Sequence, residues 1–247
     1  MGYFPFFLPK NKVVSAEYYL EYTSFKVAVD CIVFGFDGEG LKLLLIKRNF
    51  EPGQGEWSLI GGFLCEDEDL DQAAERILKE CTGMDKVYLE QLITFSRIGR
   101  DPGGRVISCA YCALMDIRKY DSKITEAYEA VWVLLDQMPS LIFDHDLMVE
   151  KALLRLRKQA SCCPVGFNLL PPKFTLPSLQ SLYEAIFGFA VDKRNFRKKI
   201  LSMNILNNTG KKDYSSSKKG AYLYSFDEKK YREMIKNGDK TNFFMYK

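Results

Sequence analysis

The segment from Gly61 to Met84, GGFLCEDEDLDQAAERILKECTGM, constrains the fold more than any other part of the chain. Asp69 followed three residues later by Gln72 is the pattern of a capping box at a helix start. Gly83 suits the left-handed position that commonly ends a helix. Apolar residues recur between these ends at helical spacing, at Leu70, Ala74, Ile77, Leu78 and Cys81. The segment therefore predicts a glycine turn followed by one amphipathic helix.

This segment resembles the Nudix box, G-x5-E-x7-R-E-U-x-E-E-x-G-U, in which U is a bulky aliphatic residue. The residues that match the pattern are Gly62, Glu68, Arg76, Leu78, Glu80, Gly83 and Met84. Ile77 and Cys81 occupy two positions at which the pattern has glutamates. The resemblance extends over roughly residues 25–160, because strand-like segments surround the box in the same order and KRNFEPGQGEWSLIGGF precedes it.

The two departures remove the chemistry of the box. Positions 77, 80 and 81 lie on one helix face, where three glutamates would converge on one Mg²⁺ ion. Of these positions only Glu80 carries a carboxylate, since isoleucine cannot ligate the ion and a thiol is too soft a ligand. We therefore expect the fold without hydrolase activity, with no catalytic residue, bound metal or cofactor. A Mg²⁺-dependent hydrolase of ADP-ribose-like substrates with an accessory basic domain stays open if metal ligands come from outside the box.

Apolar and alternating runs on both sides of the box predict a sheet. The predicted strands are Lys26–Phe36, Leu41–Arg48, Trp57–Ile60, a stretch within Val87–Ile98, Val106–Met115 and Ala130–Leu135. A further helix is predicted over Asp146–Gln159. Together with the box helix, these elements indicate one domain over residues 25–160, preceded by an arm at 1–24.

Charged residues are distributed unevenly, so the chain has an acidic N-terminal part and a basic C-terminal part. Residues 161–247 contain 16 Lys or Arg against 7 Asp or Glu, whereas the rest contains 19 against 25. Such an asymmetry is typical of two domains, of which the second faces a polyanion. Prolines at 164, 171 and 172 mark a linker over 161–172, with the adjacent Cys162 and Cys163 in it, so the second domain is predicted at 173–247.

The second domain has the pattern of a winged helix-turn-helix. Thr175 caps a predicted helix, Asp192 caps a second and basic helix, and Glu228–Lys236 forms a third. Ile205–Leu206 and Ala221–Phe226 can pair as a hairpin whose loop, KKDYSSSKKG, is basic like a DNA-binding wing. A charged helix is often only a solvated face, but here the helix, the wing and the charge asymmetry coincide. The predicted DNA-binding residues are Thr175, Ser178, Lys193, Arg194, Asn195, Arg197, Lys198, Lys218, Lys219 and Tyr222.

A degenerate Nudix domain followed by a winged helix is similar to the Nudix-related transcriptional regulators. Segments such as LIFDHDLMVEKA and GFNLLPPKFTLPSLQSLYEAI resemble the arabinose-responsive branch most closely. The resemblance covers roughly residues 25–235 and implies an α+β chain: an N-terminal Nudix-like α/β/α sandwich with a mixed sheet, and a C-terminal winged helix. It also implies a bacterial homodimer that binds operator DNA and senses a small effector. L-Arabinose or a related sugar is the expected effector, and ADP-ribose is the less favoured alternative.

The residues expected to bind the effector are Asp30, Lys47, Arg48, Glu56, Trp57, Glu80 and Arg105. For Trp57 a core position is equally compatible with the sequence, as is a surface position for the two cations. Asp30, inside an apolar strand, faces either solvent or the cleft. Asp101 and Arg105 suit either the cleft or an interface. His145, the only histidine, is expected to cap or pack a helix rather than to catalyse.

Several other classes of protein are excluded. No apolar run approaches the roughly 20 residues of a membrane span, and FPFFLP lacks the basic region of a signal peptide. Seven cysteines without export signals fit a reducing cytoplasm. Cys109 and Cys112 form a C-x-x-C, but without a second ligand pair they are predicted to be buried structural thiols.

Overall fold

The computed structural model describes residues 22–85, 87–119, 129–215 and 218–237. Most of the predicted arm, residues 1–21, lies outside these ranges. The strands are β1 Lys26–Phe36, β2 Leu41–Lys47, β3 Trp57–Ser58, β4 Ile60–Phe63, β5 Glu90–Phe95, β6 Val106–Asp116, β7 Ala130–Leu134, β8 Phe174–Thr175, β9 Leu206–Asp213 and β10 Ala221–Phe226. The helices are α1 Leu70–Thr82, α2 His145–Cys162, α3 Leu176–Phe187, α4 Lys193–Ser202 and α5 Glu228–Lys236.

The first seven strands form one mixed sheet around β1. The order β3-β2-β1-β6-β5 is extended by β4, which pairs with β1, and by β7, which pairs with β2. The β1–β6 pair is parallel, whereas the other pairs of this sheet are antiparallel. Because β1 has neighbours on both edges, all its residues from Ala28 to Phe36 are buried. This burial explains the continuous apolar run in the sequence.

Helices cover both faces of this sheet. Val29, Cys31 and Val33 of β1 pack with α1, whereas Ile32 and Phe34 pack with α2 on the other face. The alternation follows from the two-residue period of a strand. The predicted α/β/α sandwich with a mixed sheet is confirmed.

The box helix has the predicted ends. Asp69 accepts a hydrogen bond from the backbone N–H of Gln72, whose side chain accepts from the N–H of Asp69 in return. Gly83 ends α1 with a φ of +69°, which glycine adopts without a steric penalty. Both ends are therefore encoded locally, as the sequence predicts.

The second domain is the predicted winged helix. Phe196 and Ile200 bury one face of α4 against Leu182 and Tyr183 of α3. β9 and β10 form the wing hairpin, and β8 pairs with β10 at its base. Asp192 caps α4 through the N–H of Asn195, and Thr175 caps α3 through the N–H of Ser178. The core of this domain is continuous with the α2 side of the sheet.

The structure differs from the sequence prediction in three places. Gly61 and Gly62, which are predicted to form a turn, lie in strand β4 and pair with β1. β9 extends to Asp213, so the first residues of the predicted wing loop are strand; their polar, irregular pattern hides the pairing that the backbone makes with β10. The predicted linker is packed rather than extended, because α2 continues to Cys162 and Leu169 is buried. Phe167 stacks on Phe226 at 4.1 Å. The exact domain limits stay a prediction.

The C-x-x-C cysteines lie on opposite faces of β6. Cys109 is buried on the α1 side, and Cys112 is half-buried on the α2 side. Burial raises the pKa of Cys112 to about 12. The two sulfur atoms therefore cannot ligate one ion together, in agreement with the structural role predicted for them.

Among the described residues, no helix is both long and apolar enough to cross a bilayer.

Candidate effector cleft and nucleic-acid interface

A cleft of about 290 Å³ opens where β1 and β4 meet the C-terminal part of α1. Asp30 and Gly61 lie on its floor, and the segments around Arg48, Arg100 and Phe143 form its walls. Glu80 and Cys81 of the box helix line the remaining side. The box thus borders the cleft, as the resemblance implies.

The ion pair of the box is structural. Arg76 Nε donates to Glu68 Oε2 at 2.8 Å, and Arg76 Nη2 donates to the carbonyl of Phe63 at 3.0 Å. The hydrogen bond from Arg76 lowers the pKa of Glu68 to about 2. These contacts fasten α1 to the end of β4. Glu80 Oε2 lies 3.1 Å from Arg76 Nη1, so this carboxylate pairs with a cation.

The cleft does not fit the Mg²⁺ ion of the Nudix box. Ile77 is buried directly beneath Gly62, where a Cβ would lie 3.0 Å from Ile77 Cγ1. Burial raises the pKa of the Cys81 thiol, which keeps it protonated at neutral pH. Within the described ranges, no three His, Cys, Asp or Glu side chains converge as metal ligands. Glu80 alone offers an oxygen from the box positions that the pattern assigns to the ion.

A charged network forms the cleft floor. Arg100 holds Asp144 through two hydrogen bonds, Nη2–Oδ1 at 2.7 Å and Nε–Oδ2 at 3.0 Å. Arg100 Nη2 also lies 3.7 Å from Asp30 Oδ2, which accepts a hydrogen bond from Ser108 Oγ. Asp30 and Arg100 are each only 6% exposed. Burying a charge is costly unless it is paired, so the charged groups of this network depend on one another.

Gly61 gives the Asp30 carboxylate its place. The two residues are direct partners across β1 and β4, and a Cβ at Gly61 would overlap Asp30 Oδ1. The first glycine of the Gly-Gly pair is therefore required by the cleft floor. At Gly62, a Cβ would contact Ile77 Cγ1 tightly, so Ile77 would have to shift to accommodate one.

His145 contacts the same floor in a defined tautomer. Its Nδ1 accepts the backbone N–H of Leu59 at 3.2 Å, so the proton lies on Nε2. Nε2 points to Asp30 Oδ1 at a distance of 3.7 Å. Burial lowers the pKa of His145, although Asp30 opposes the shift. The side chain packs in the cleft and does not cap α2, whose N-cap residue is Asp144.

The cleft mouth combines cations and aromatic rings. The Arg48 guanidinium lies 3.9 Å from the Phe50 ring centre and 5.6 Å from that of Phe143. Arg48 Nε is buried and has no hydrogen-bond partner within the described residues. Phe143 and Glu129, which both line the cleft, have positive φ angles of +55° and +53°. Backbone strain of this kind clusters at functional sites.

The predicted effector residues divide into two groups. Asp30, Lys47, Arg48 and Glu80 line the cleft, and so does Asp101. Glu56, Trp57 and Arg105 do not line this cavity, and their part in effector binding stays a prediction. Trp57 packs against the core beneath Lys47, whose Nζ is 5.2 Å from the ring centre. Arg105 instead donates to the carbonyl of Ser96 at 2.8 Å.

Sequence reasoning missed the walls of the cleft. Arg100, Phe50, Phe143 and Glu129 come from four separate loops. For His145 the sequence predicts only a capping or packing role. Loop residues carry no periodic signal, so their convergence depends on the tertiary fold. A polar residue at the predicted start of a helix, such as His145, is the sequence feature that could have indicated part of these walls.

The basic helix α4 presents its charges to solvent. Lys193, Arg194, Asn195, Arg197 and Lys198 are all exposed, while Phe196 between them is buried. Lys218 and Lys219 lie in the wing turn, and residues 216–217 of that turn fall outside the described ranges. Tyr222 is 49% exposed, with Lys212 Nζ 4.9 Å from its ring centre. Thus eight of the predicted contact residues, counting Tyr222, stand on an accessible surface.

Thr175 and Ser178 are placed differently from the others. Thr175 is buried, and its hydroxyl is occupied as the cap of α3. Ser178 is half-buried in the first turn of the same helix. Thr175 is therefore a structural residue, and only the helix N-terminus that it supports is available to a phosphate.

We expect stability to depend on His145 near neutral pH. The unfolded chain binds a proton at the usual pKa of 6.5, whereas the folded chain has a lower pKa, so stability is fully present above 6.5 and is lost as the pH falls toward the folded pKa. Urea unfolding at about pH 7.5, 6.5 and 5.5 measures this loss. His145→Gln should flatten the dependence because no other histidine titrates in this range. Identical pH slopes for the two proteins would contradict this assignment.

Comparison with known proteins agrees with both domains. Residues 24–152 match the NUDIX domain family, and residues 166–226 match the NrtR DNA-binding winged helix domain. The chain is 34% identical over 210 residues, 83% of its length and 84% of the relative's, to the "ADPR responsive transcriptional repressor NtrR" of Acinetobacter baylyi.

Two solved structures of Shewanella oneidensis NrtR are also similar. The complex with a 27mer DNA has a TM-score of 0.74 and 33% identity, covering 83% of this chain and 95% of that one. The NUDIX domain complexed with ADP ribose has a TM-score of 0.50 and 34% identity, covering 58% and 99%. These relatives give no support to the arabinose-responsive branch. The chain belongs to the NrtR-type family of Nudix-related, DNA-binding transcriptional regulators.

Proposed function

We propose that this regulator binds operator DNA as a homodimer and that ADP-ribose in the Nudix cleft changes its DNA affinity. The observation that carries the proposal is a cleft that has kept polar and aromatic walls while losing the metal ligands of the box. Effector binding needs a cleft of suitable shape and charge, but it does not need catalytic residues. Operator binding would place the protein in the compartment that contains the DNA, the cytoplasm.

The chemistry of the cleft suits a nucleoside diphosphate sugar. Lys47 and Arg48 supply positive charge for a diphosphate, and Phe50 and Phe143 supply flat apolar surface for a base. The unpartnered Arg48 Nε is a donor that a phosphate oxygen would satisfy. L-Arabinose could engage the polar floor but would leave these residues unused. ADP-ribose is therefore the better candidate, and two relatives are named for it.

Helix α2 is the physical connection between the cleft and the DNA-binding domain. Its first residues, with Asp144 before them, belong to the cleft floor. Near its other end, Arg157 Nε donates to the carbonyl of Ile186 at 2.8 Å, close to the end of α3. A cation at a helix C-terminus is favourable because it meets the negative end of the helix dipole. An effector that binds one arrangement of this helix better than another would shift the DNA-binding domain with it.

The DNA contacts proposed for α4 give a direct test. Arg194→Ala and Arg197→Ala should each weaken binding to a duplex from upstream of the protein's own gene by about tenfold, and should reduce the salt slope by about 1 per lost phosphate contact. Fluorescence anisotropy at several salt concentrations measures both quantities. Lys79→Ala, which removes an exposed cation from α1, is the matched control and should bind DNA as the wild type does. Equal losses in all three variants would show that net charge, not α4, determines affinity.

Catalytic inactivity has its own test. With Mg²⁺ and ADP-ribose, the wild-type protein should release AMP no faster than a protein-free control does, because Ile77 and Cys81 cannot hold the ion. Product formation followed by chromatography over hours measures this rate. Robust Mg²⁺-dependent turnover would instead support the hydrolase alternative, with ligands from outside the box positions.

A further inference from the structure

A second and larger cavity, of about 620 Å³, lies where the two domains meet. Strands β5 and β6 and helix α2 line this interdomain cavity from the first domain, and β10 and α5 line it from the second. None of the described residues lines both this cavity and the effector cleft. Small-molecule sites have typical volumes of about 300–1,000 Å³ and often lie at domain interfaces. The interdomain cavity therefore has the size and the position of a ligand site.

Apolar side chains form the base of the interdomain cavity. Ala152 and Leu156 of α2 are buried there. Leu92 and Leu114, from β5 and β6, are half-buried and also line it. A ligand on this base gains stability chiefly by removing its own apolar surface from water.

Aromatic rings form a wall of the same cavity. The Phe167 and Phe226 rings stack with their centres 4.1 Å apart, and the centre of the Tyr231 ring lies 5.4 Å from that of Phe226. Such rings attract a further aromatic ring in offset-stacked or edge-to-face contact. The wall therefore favours a flat aromatic ligand.

The charges of the lining are already paired. Among the described residues, three charged side chains line the cavity: Glu90, Arg155 and Glu228. Arg155 Nη2 lies 3.5 Å from Glu90 Oε1, and Arg232 donates a hydrogen bond to Glu228. Burial raises the pKa of the Cys112 thiol to about 12, so this group is neutral as well. A charged ligand would lose hydration here without gaining a free counter-charge, which favours an uncharged one.

Two neutral polar groups complete the lining. Gln159 supplies an amide, and Tyr231 supplies a hydroxyl whose pKa is raised by burial. Both groups can donate and accept hydrogen bonds without carrying charge. They match a ligand that has one neutral polar group beside its rings.

We propose that the interdomain cavity is a second ligand site, which takes an uncharged aromatic molecule carrying a neutral hydrogen-bonding group. The bound molecule contacts both domains, so a change in either wall weakens its binding. This site is separate from the effector cleft and does not depend on the identity of the effector.

A matched pair of fluorescent probes tests the proposal on the full chain. N-Phenyl-1-naphthylamine is uncharged and has two aromatic groups joined by one N–H, and its emission rises in apolar surroundings. 1-Anilinonaphthalene-8-sulfonate has the same frame with an added sulfonate. The wild-type protein should bind the neutral probe saturably at one site.

Variants locate the bound probe. Leu92→Trp fills part of the cavity from the first domain and should weaken binding of the neutral probe by about tenfold or more, because packed interiors leave no space for both groups. Leu154→Trp makes the same substitution on the exposed face of α2, outside the lining, and should leave binding unchanged. Tyr231→Phe removes only a hydroxyl from the second domain and should weaken binding by about 2- to 10-fold, as for one lost hydrogen bond.

Two further measurements separate this site from other modes of binding. Phe50→Ala removes an exposed aromatic ring from the effector cleft and should leave binding of the neutral probe unchanged. The sulfonate probe should show no bound component that Leu92→Trp removes. The thermal transition followed by circular dichroism checks that each variant is folded. If Leu92→Trp does not fold, the comparison rests on Tyr231→Phe and Phe50→Ala.

Several outcomes would overturn the proposal. They are the absence of saturable binding to the wild type, equal effects of Leu92→Trp and Leu154→Trp, a loss of binding in Phe50→Ala, and binding of the sulfonate at the same site with the same affinity. An unchanged affinity in a folded Tyr231→Phe variant would contradict the hydrogen bond from the second domain. Because none of these measurements uses ADP-ribose or operator DNA, their results leave the proposed function untouched.

Discussion

The buried carboxylate of Asp30 is the constraint on which the first domain is organised. It lies in the middle of β1, the strand that pairs with β2, β4 and β6. A charge at this place must be compensated by its neighbours, so Ser108, Arg100 and His145 are drawn from three other parts of the chain. Gly61 must lack a Cβ for the same reason. The cleft floor and the centre of the sheet are therefore one structure.

The replacement of two box glutamates by Ile77 and Cys81 changes the packing of α1 as well as its chemistry. Ile77 fills the space beneath Gly62 and belongs to the core between α1 and the sheet. The retained Glu68–Arg76 pair continues to fasten the helix to β4. The box has thus kept its scaffolding contacts while its metal-binding face became partly apolar. Under the proposed function, such a cleft binds its effector without hydrolysing it.

Much of the fold could be predicted from the sequence because its signals are local. The caps at Asp69, Thr175 and Asp192 lie within a few residues of the groups they satisfy, and the apolar stripes of α1 and α3 have the helical period. The cleft was predictable only in part. Asp30 stands out as a polar residue inside an apolar strand, and Arg48 directly follows one. Arg100 and Phe143 instead reach the cleft from loops whose course depends on the whole domain. The wing strand β9 was shortened in the prediction because backbone pairing, not side-chain pattern, defines it.

If ADP-ribose regulates this protein, its cleft and its DNA-binding helices are thermodynamically coupled, and the reciprocity of binding tests this coupling most directly. Operator affinity would be measured by fluorescence anisotropy with and without saturating ADP-ribose, and ADP-ribose affinity by calorimetry with and without saturating operator. Coupling requires both affinities to change by the same factor, typically about 5- to 150-fold. An operator affinity that is unchanged by saturating, bound ADP-ribose would contradict the claim.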